Sequence, residues 1–185
     1  MSRNIFTSVL FVTMLVVLVS GNSLAQTQAN ANLPASATVL TALTIHKNTD
    51  VKFGNVGATT LGIVYLDPTG AASNYIGTGA QVGVITIAGA TGQDIRITWP
   101  SYIDLSHGLN HLNYVLQVNG YTANTPTSST PLTSGGSTAT TDATSGNYFL
   151  FIGGQLGGST TTAAALSSQA TDTYSGSAPF TVEYN

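Results

Sequence analysis

The sequence predicts an all-β protein, a single-domain antiparallel β-sandwich. Beyond the first 25 residues, no segment repeats apolar residues at helical spacing over three turns. Short β-branched, alternating runs recur instead, separated by Gly, Pro, Asn and Asp turn chemistry. Cysteine is absent, so burial and sheet hydrogen bonds must hold the fold, and thiol catalysis and thiolate metal sites are excluded.

Residues 1–25 are set apart. Arg3 opens them, the apolar run Val9–Val19 follows, and Ser23 and Ala25 precede Gln26. That is the layout of a signal peptide cut before Gln26, and the run is short for a membrane anchor. The expectation is export to the periplasm, cell surface or medium, with no membrane span after cleavage. Residues 26–36, QTQANANLPAS, read as a flexible polar arm, and 37–185 as the sandwich domain. From Gln26 on, three cations (Lys47, Lys52 and Arg96) stand against seven acids, a formal charge of −4. Such a chain has no basic patch for phosphates, which disfavours nucleic acid as a partner.

The predicted strands follow in order. ASATVLTALTIHK (35–47), GIVYLD (62–67) and VGVITIAG (82–89) come first. Asp67-Pro68-Thr69-Gly70 and Gly89-Ala90-Thr91-Gly92 supply turns. DIRITWP sets Ile95, Ile97 and Trp99 on one face, and Pro100 stops it. LNYVLQVNG aligns Leu112, Tyr114, Leu116 and Val118, and Asn119-Gly120 is expected to end it in a tight turn. NYFLFIGG (147–154) is apolar on both faces, as a central strand is. Between them, residues 122–147 are rich in Ser, Thr and Gly and read as a mobile, solvated loop. The final run puts Phe180, Val182 and Tyr184 on one face and Thr181 and Glu183 on the other. Terminal segments fray unless tied down, which makes Phe180, Val182 and Tyr184 a candidate assembly strand. Completing the domain's own core is the plainer expectation for them.

Several blocks, taken in order, carry a resemblance. They are LTIHKNTDVKFGNV with Asp50, Phe53 and Gly54, then VYLDPTG, ITIAGATGQDIRITWP, FLFIGGQL and TYSGSAPFTVEYN. Together they resemble DUF4402, a family of exported bacterial proteins similar in layout to spore-coat-U-like and fimbrial major-subunit domains. The resemblance implies an immunoglobulin-like sandwich outside the cytoplasm, no enzymatic activity, and a role in surface fibres. In two places the chain departs from the pattern: no Gly lies two before Tyr174, and Pro179 sits where the last strand should begin. The ending also resembles those of chaperone–usher pilins, which implies self-association into fibres or a periplasmic chaperone as partner. Thr27, Ala29, Ala31 and Leu33 of the arm form only a thin apolar row for such pairing.

No residue pattern proposes catalysis. His107 and His111 have i, i+4 spacing but lie in a Gly-containing stretch without a third ligand beyond Asp104, and read as polar loop residues. No Gly-x-Ser-x-Gly elbow occurs. Asp94 and Glu183 fall on expected solvent faces, Gly77-Thr78-Gly79 is a turn rather than a phosphate loop, and Trp99 shares its face with core residues. No cofactor or metal is expected. The expected function is a non-enzymatic surface structural or assembly protein. The alternative is a secreted module that binds glycan or protein through loops of the sandwich.

Overall fold

The computed structural model of the chain describes residues 33–57, 64–71, 73–74, 76–156, 158–159, 162–163 and 171–185. The expected signal peptide and residues 26–32 of the expected arm lie outside the described residues. The chain divides into two units, Met1–Thr38 and Val39–Asn185. In the first, residues 33–38 have no regular structure.

The second unit is an all-β sandwich of antiparallel sheets. In chain order its strands are β1 (Thr44–Thr49), β2 (Val64–Leu66), β3 (Gly83–Ala88), β4 (Asp94–Thr98), β5 (Tyr102–His107) and β6 (Asn110–Tyr121). They continue with β7 (Thr130–Pro131), β8 (Ser137–Thr140), β9 (Asn147–Leu156), β10 (Gly158–Ser159), β11 (Thr162–Ala163) and β12 (Thr181–Tyr184). The large sheet runs β1-β3-β9-β6-β5, with β2 also on β9 and β7 on β6. The small sheet runs β12-β4-β8, and β10 and β11 pair with each other.

β9 is the hub of the large sheet, as its two apolar faces predict. One flank pairs with β6 from Tyr121↔Phe149 to Tyr114↔Leu156. The other flank is shared: β3 takes Asn147 to Ile152, and β2 takes Gly154 to Leu156. The changeover falls at Gly153-Gly154, where a Cβ on Gly153 would strike the Leu66 carbonyl and one on Gly154 the Val115 carbonyl. Only glycine lets three backbones approach there.

The core lies between the sheets. Ile95 and Ile97 of β4 are fully buried, and Trp99 is 3% exposed. Opposite them are Ile87 of β3, Leu150 of β9, and Leu116 and Val118 of β6, all buried. These are the alternating faces that the sequence predicts.

Four expectations need correction. The first strand begins at Thr44 rather than residue 35, because 33–43 lack regular structure. Asn119-Gly120 is no turn: β6 continues through both, pairing with β9 on one side and β7 on the other. Gly120 is small because the Tyr148 ring lies where its Cβ would be. SHGLNHLNY is not a loop before a strand. It is a hairpin in which β5 pairs with β6 around Gly108, whose φ of 58° suits a two-residue turn.

The fourth correction concerns 122–147, which is not a mobile insertion. It holds a 3-10 turn at Pro126–Ser128, β7, and β8, which pairs with β4. Thr141, 2% exposed, knots its end to the 89–93 turn. Its Oγ1 accepts from Gln93 N–H at 2.9 Å and donates to the Ala90 carbonyl at 2.7 Å. Ser and Thr content signals solvent on average, but on an edge strand these side chains face outward while the backbone pairs.

Candidate assembly edge and adjoining cavity

The expected assembly residues form β12 and its approach. Phe180, Val182 and Tyr184 are half-buried and pack against the domain's own core, while Thr181 and Glu183 are exposed. Phe180 stacks on Trp99, with ring centroids 6.0 Å apart and planes 16° apart. The Tyr184 hydroxyl accepts from Ala90 N–H at 2.6 Å and donates to the Thr41 carbonyl at 2.5 Å, joining β12 to the segment before β1. β12 starts just after Pro179, which therefore removes no ladder bond.

On one side β12 is satisfied by β4. Register runs Thr181↔Thr98, Val182↔Ile97, Glu183↔Arg96 and Tyr184↔Ile95. Asn185 N–H donates to the Asp94 carbonyl, at 3.0 Å. In an antiparallel pair the hydrogen-bonded positions alternate. Residues 181, 183 and 185 thus bond to β4, whereas Val182 and Tyr184 turn their N–H and C=O away from it. The residues flanking β4 agree: the Gln93 and Trp99 carbonyls accept from Thr141 and Gly135 N–H on the β8 side. β12 ends the small sheet, and no strand among the described residues pairs with its outer side.

Next to this edge, Phe180 lines a cavity of about 880 Å³. Its floor is the inner face of the large sheet, with Ile85, Ile103, Leu105, Leu112, Tyr114, Leu116, Ile152 and Leu156. One wall is the segment 50–56 with Phe53 and Val56, and the other is 171–178. Phe53 meets Tyr114 edge-on at 5.1 Å. The Tyr114 hydroxyl donates to the Gly153 carbonyl at 2.7 Å, and burial raises its pKa well above the ordinary tyrosine range. Lys47, Asp50, Lys52 and Asp172 supply the charges at the rim. The Lys47 ammonium bonds Asp50 at 2.6 Å, and that hydrogen bond, ahead of its charge, holds the Asp50 carboxyl below its usual range.

The 171–178 wall is fastened to β5. Ser106 and Ser175 exchange backbone hydrogen bonds, at 2.9 and 3.2 Å. His107 Nε2 lies 2.9 Å from Asp172, and its ring contacts Tyr174 edge-on at 6.2 Å. His111 Nδ1 lies 2.6 Å from Asp104 instead. His107 is in register with Asn110, and Ser106 with His111, so the two rings lie on opposite faces of the hairpin. Each imidazole has its own carboxylate and the pair does not converge. No cluster of three or more His, Cys, Asp or Glu among the described residues is placed to hold a metal.

The other residues weighed in the sequence fall as follows. Asp94 accepts from the Thr140 hydroxyl at 2.7 Å, and Glu183 lies 4.0 Å from Arg96, all on the outer face of the small sheet. Gly77–Gly79 lie in a turn, with Gly79 at φ 85°. Neither the outer edge of β12 nor the cavity was legible in sequence, because both depend on how segments remote in the chain come together. Among the described residues, no helix is long and apolar enough to cross a membrane.

The fold is an all-β sandwich whose last strand, among the described residues, pairs on one side only. The model of a domain of unknown function, DUF4402, matches residues 43–184. The chain belongs to that family. Comparison with curated proteins and with solved structures gives no match.

Proposed function

We propose that the protein is a non-enzymatic, exported structural or assembly component of the bacterial cell surface, a fimbria-like subunit that associates by strand addition. The observation that carries this reading is the outer side of β12, where Val182 and Tyr184 direct N–H and C=O groups away from β4. Strand addition satisfies such an edge through main-chain bonds, while alternating side chains enter apolar space. The cavity beside Phe180 offers that space. Edges of this kind are otherwise blunted by charge, proline or a covering element, since they invite pairing with another chain. The partner of β12 is a further copy of this chain or a periplasmic chaperone. The signal-peptide pattern of residues 1–25 supports export.

The test uses the chain from Gln26 onward. Light scattering and negative-stain microscopy should find assemblies, and the Val182 and Tyr184 amides should exchange slowly in them and fast in the monomer. A strictly monomeric protein that is absent from surface fractions would refute the reading. A secreted module binding glycan or protein is the second reading, favoured by the size of the cavity, which falls in the range of ligand sites. It requires a ligand that protects Leu112 and Ile152 from exchange in a monomer.

A further inference from the structure

The large sheet has a second face, apart from β12 and from the cavity, whose floor is the inner face. Alternation on β6 sends Leu112, Tyr114, Leu116 and Val118 inward, and so turns Val115 and Gln117 outward. Register carries the outer row across four strands. Tyr65 of β2 opposes Gln155 of β9, Gln155 opposes Val115 of β6, and Val115 opposes Tyr102 of β5. Residues directly opposite share a face, so Tyr65, Gln155, Val115 and Tyr102 form one line across the sheet. The backbones at its ends are three strand spacings apart, about 14 Å. Tyr102 is 62% exposed, and the other three are half-buried. We infer that this row is a platform for an extended, neutral oligosaccharide, laid across the strands with sugar rings on Tyr65 and Tyr102.

A pyranose ring is apolar on its C–H faces and polar around its edge. It is held by an aromatic plane against the one and by amides or carboxylates beside the other. The row has that order, with a tyrosine at each end and glutamine amides between. The Tyr65 hydroxyl donates to Gln117 Oε1 at 2.8 Å. Since β9 runs between β2 and β6, the Tyr65 side chain must lean across β9 to make that bond. Both groups are thereby held in place. With its Oε1 engaged, the Gln117 amide presents Nε2 as a donor to a ligand. Gln155, beside it, makes no side-chain hydrogen bond to a described residue.

Charge and spacing select the ligand. No member of the row is charged. Asp104, two residues beyond Tyr102 on the same face, already holds His111 at 2.6 Å. Asp67, two residues beyond Tyr65, accepts from the Thr69 N–H and hydroxyl. Lys47 and Lys52 lie at the cavity rim and Arg96 on the small sheet, so an acidic glycan finds no counter-charge here. One sugar advances an extended chain by about one strand spacing. The lean of Tyr65 toward β6 therefore sets the two rings about two to three sugar units apart. A protein face laid on this row would have to supply a matching partner for each amide it sealed from water. A glycan brings hydroxyls, each both donor and acceptor, all along its edge.

The site shares a ligand class with the second reading above but lies on the opposite face of the sheet, so the two fail separately. Cellohexaose is titrated into the chain from Gln26 onward, with cellobiose and maltohexaose in parallel, and followed by NMR. Signals of Tyr65, Tyr102, Val115, Gln117 and Gln155 should shift, the glutamine Nε2 resonances among them. Cellobiose is too short to touch both rings and should bind about tenfold more weakly. Maltohexaose, with the same number of units in a coiled chain, should also bind more weakly. Tyr102→Ala should leave the urea midpoint nearly unchanged and bring cellohexaose down to the level of cellobiose. Tyr65→Phe should weaken binding and move the Gln117 Nε2 signals even without sugar. No shift at millimolar cellohexaose overturns the inference, as does equal binding of the two lengths or of the two hexamers, or an unaffected Tyr102→Ala. Shifts confined to Leu112 and Ile152 overturn it and leave the cavity as the ligand site. Dependence of the row's signals on protein concentration without sugar means that a second copy covers this face, and overturns it too.

Discussion

Replacing Thr141 by valine keeps the shape of the side chain and removes its hydroxyl. That hydroxyl holds two partly buried backbone groups, Gln93 N–H and the Ala90 carbonyl. The Gln93 carbonyl keeps its bond from Thr141 N–H at 2.9 Å, so the loss is confined to those two. An unsatisfied buried group costs about 1–3 kcal/mol, and access of water to this loop keeps each near the lower end. Thr141→Val should therefore cost about 2–3 kcal/mol. With a urea slope of about 2 kcal/mol/M, the unfolding midpoint falls by about 1 M. The melting temperature should fall by roughly 4–10 °C. The control is one residue away: Thr140 is exposed and bonds Asp94 on the outer face, so Thr140→Val should stay within about 0.5 kcal/mol. Urea titrations followed by Trp99 fluorescence compare the two. Equal midpoints for both variants would refute the reasoning, and 122–147 would be a solvated insertion after all.

Three further outcomes follow from the packing and the titrating groups. Gly120→Ala drives a methyl into the Tyr148 ring and should cost about 1–3 kcal/mol. Tyr148→Phe in the same chain, which removes the nearest atom, should restore part of that by chemical denaturation. Burial raises the Tyr114 pKa, so its contribution is present below the unfolded value of about 10 and is lost as pH climbs through the folded value. Stability should fall above about pH 10, and Tyr114→Phe should flatten that limb while losing about 1 kcal/mol with the Gly153 bond. Asp142 is the opposite case. The Ser145 N–H, then its hydroxyl and the Thr144 N–H, hold its carboxyl below the usual range. Its contribution is present above about pH 4 and is lost as pH falls through the folded value, so Asp142→Asn should show a shallower acid limb in pH-dependent melting.

The parts of the fold legible in sequence are those where side-chain period and burial coincide. Ile95, Ile97 and Trp99 alternate and are buried, as are Leu112, Tyr114, Leu116 and Val118, and β9 is apolar on both faces because it is central. Legibility failed where pairing is carried by backbone. β8 is Ser-Thr-Ala-Thr and looks like solvent, yet its ladder to β4 is regular. Asn119-Gly120 carries turn chemistry, but the Tyr148 ring, remote in sequence, explains the glycine. Residues 35–43 alternate like a strand as far as Val39, yet they form no strand, and the first one begins at Thr44. At the candidate site, the face shared by Phe180, Val182 and Tyr184 was plain in the sequence. Which of their backbone groups face away from β4 depends on the parity of that ladder, which no local pattern encodes.

The shared flank of β9 has a consequence for how the chain folds. β2, β3 and β6 all precede β9, and among the described residues they meet in the large sheet only through it. Val64 waits for Leu156, and Gly83 for Ile152. Closing such long loops costs entropy before any contact repays it, which places this topology among slow folders. A chain interrupted before Asn147 holds β2, β3 and the β5–β6 hairpin without their common neighbour. Such a fragment has no smaller version of the large sheet to fall back on, and its apolar strands stay open to one another and to other chains. The position of β9 after its three partners makes the large sheet an all-or-nothing event timed to residues 147–156.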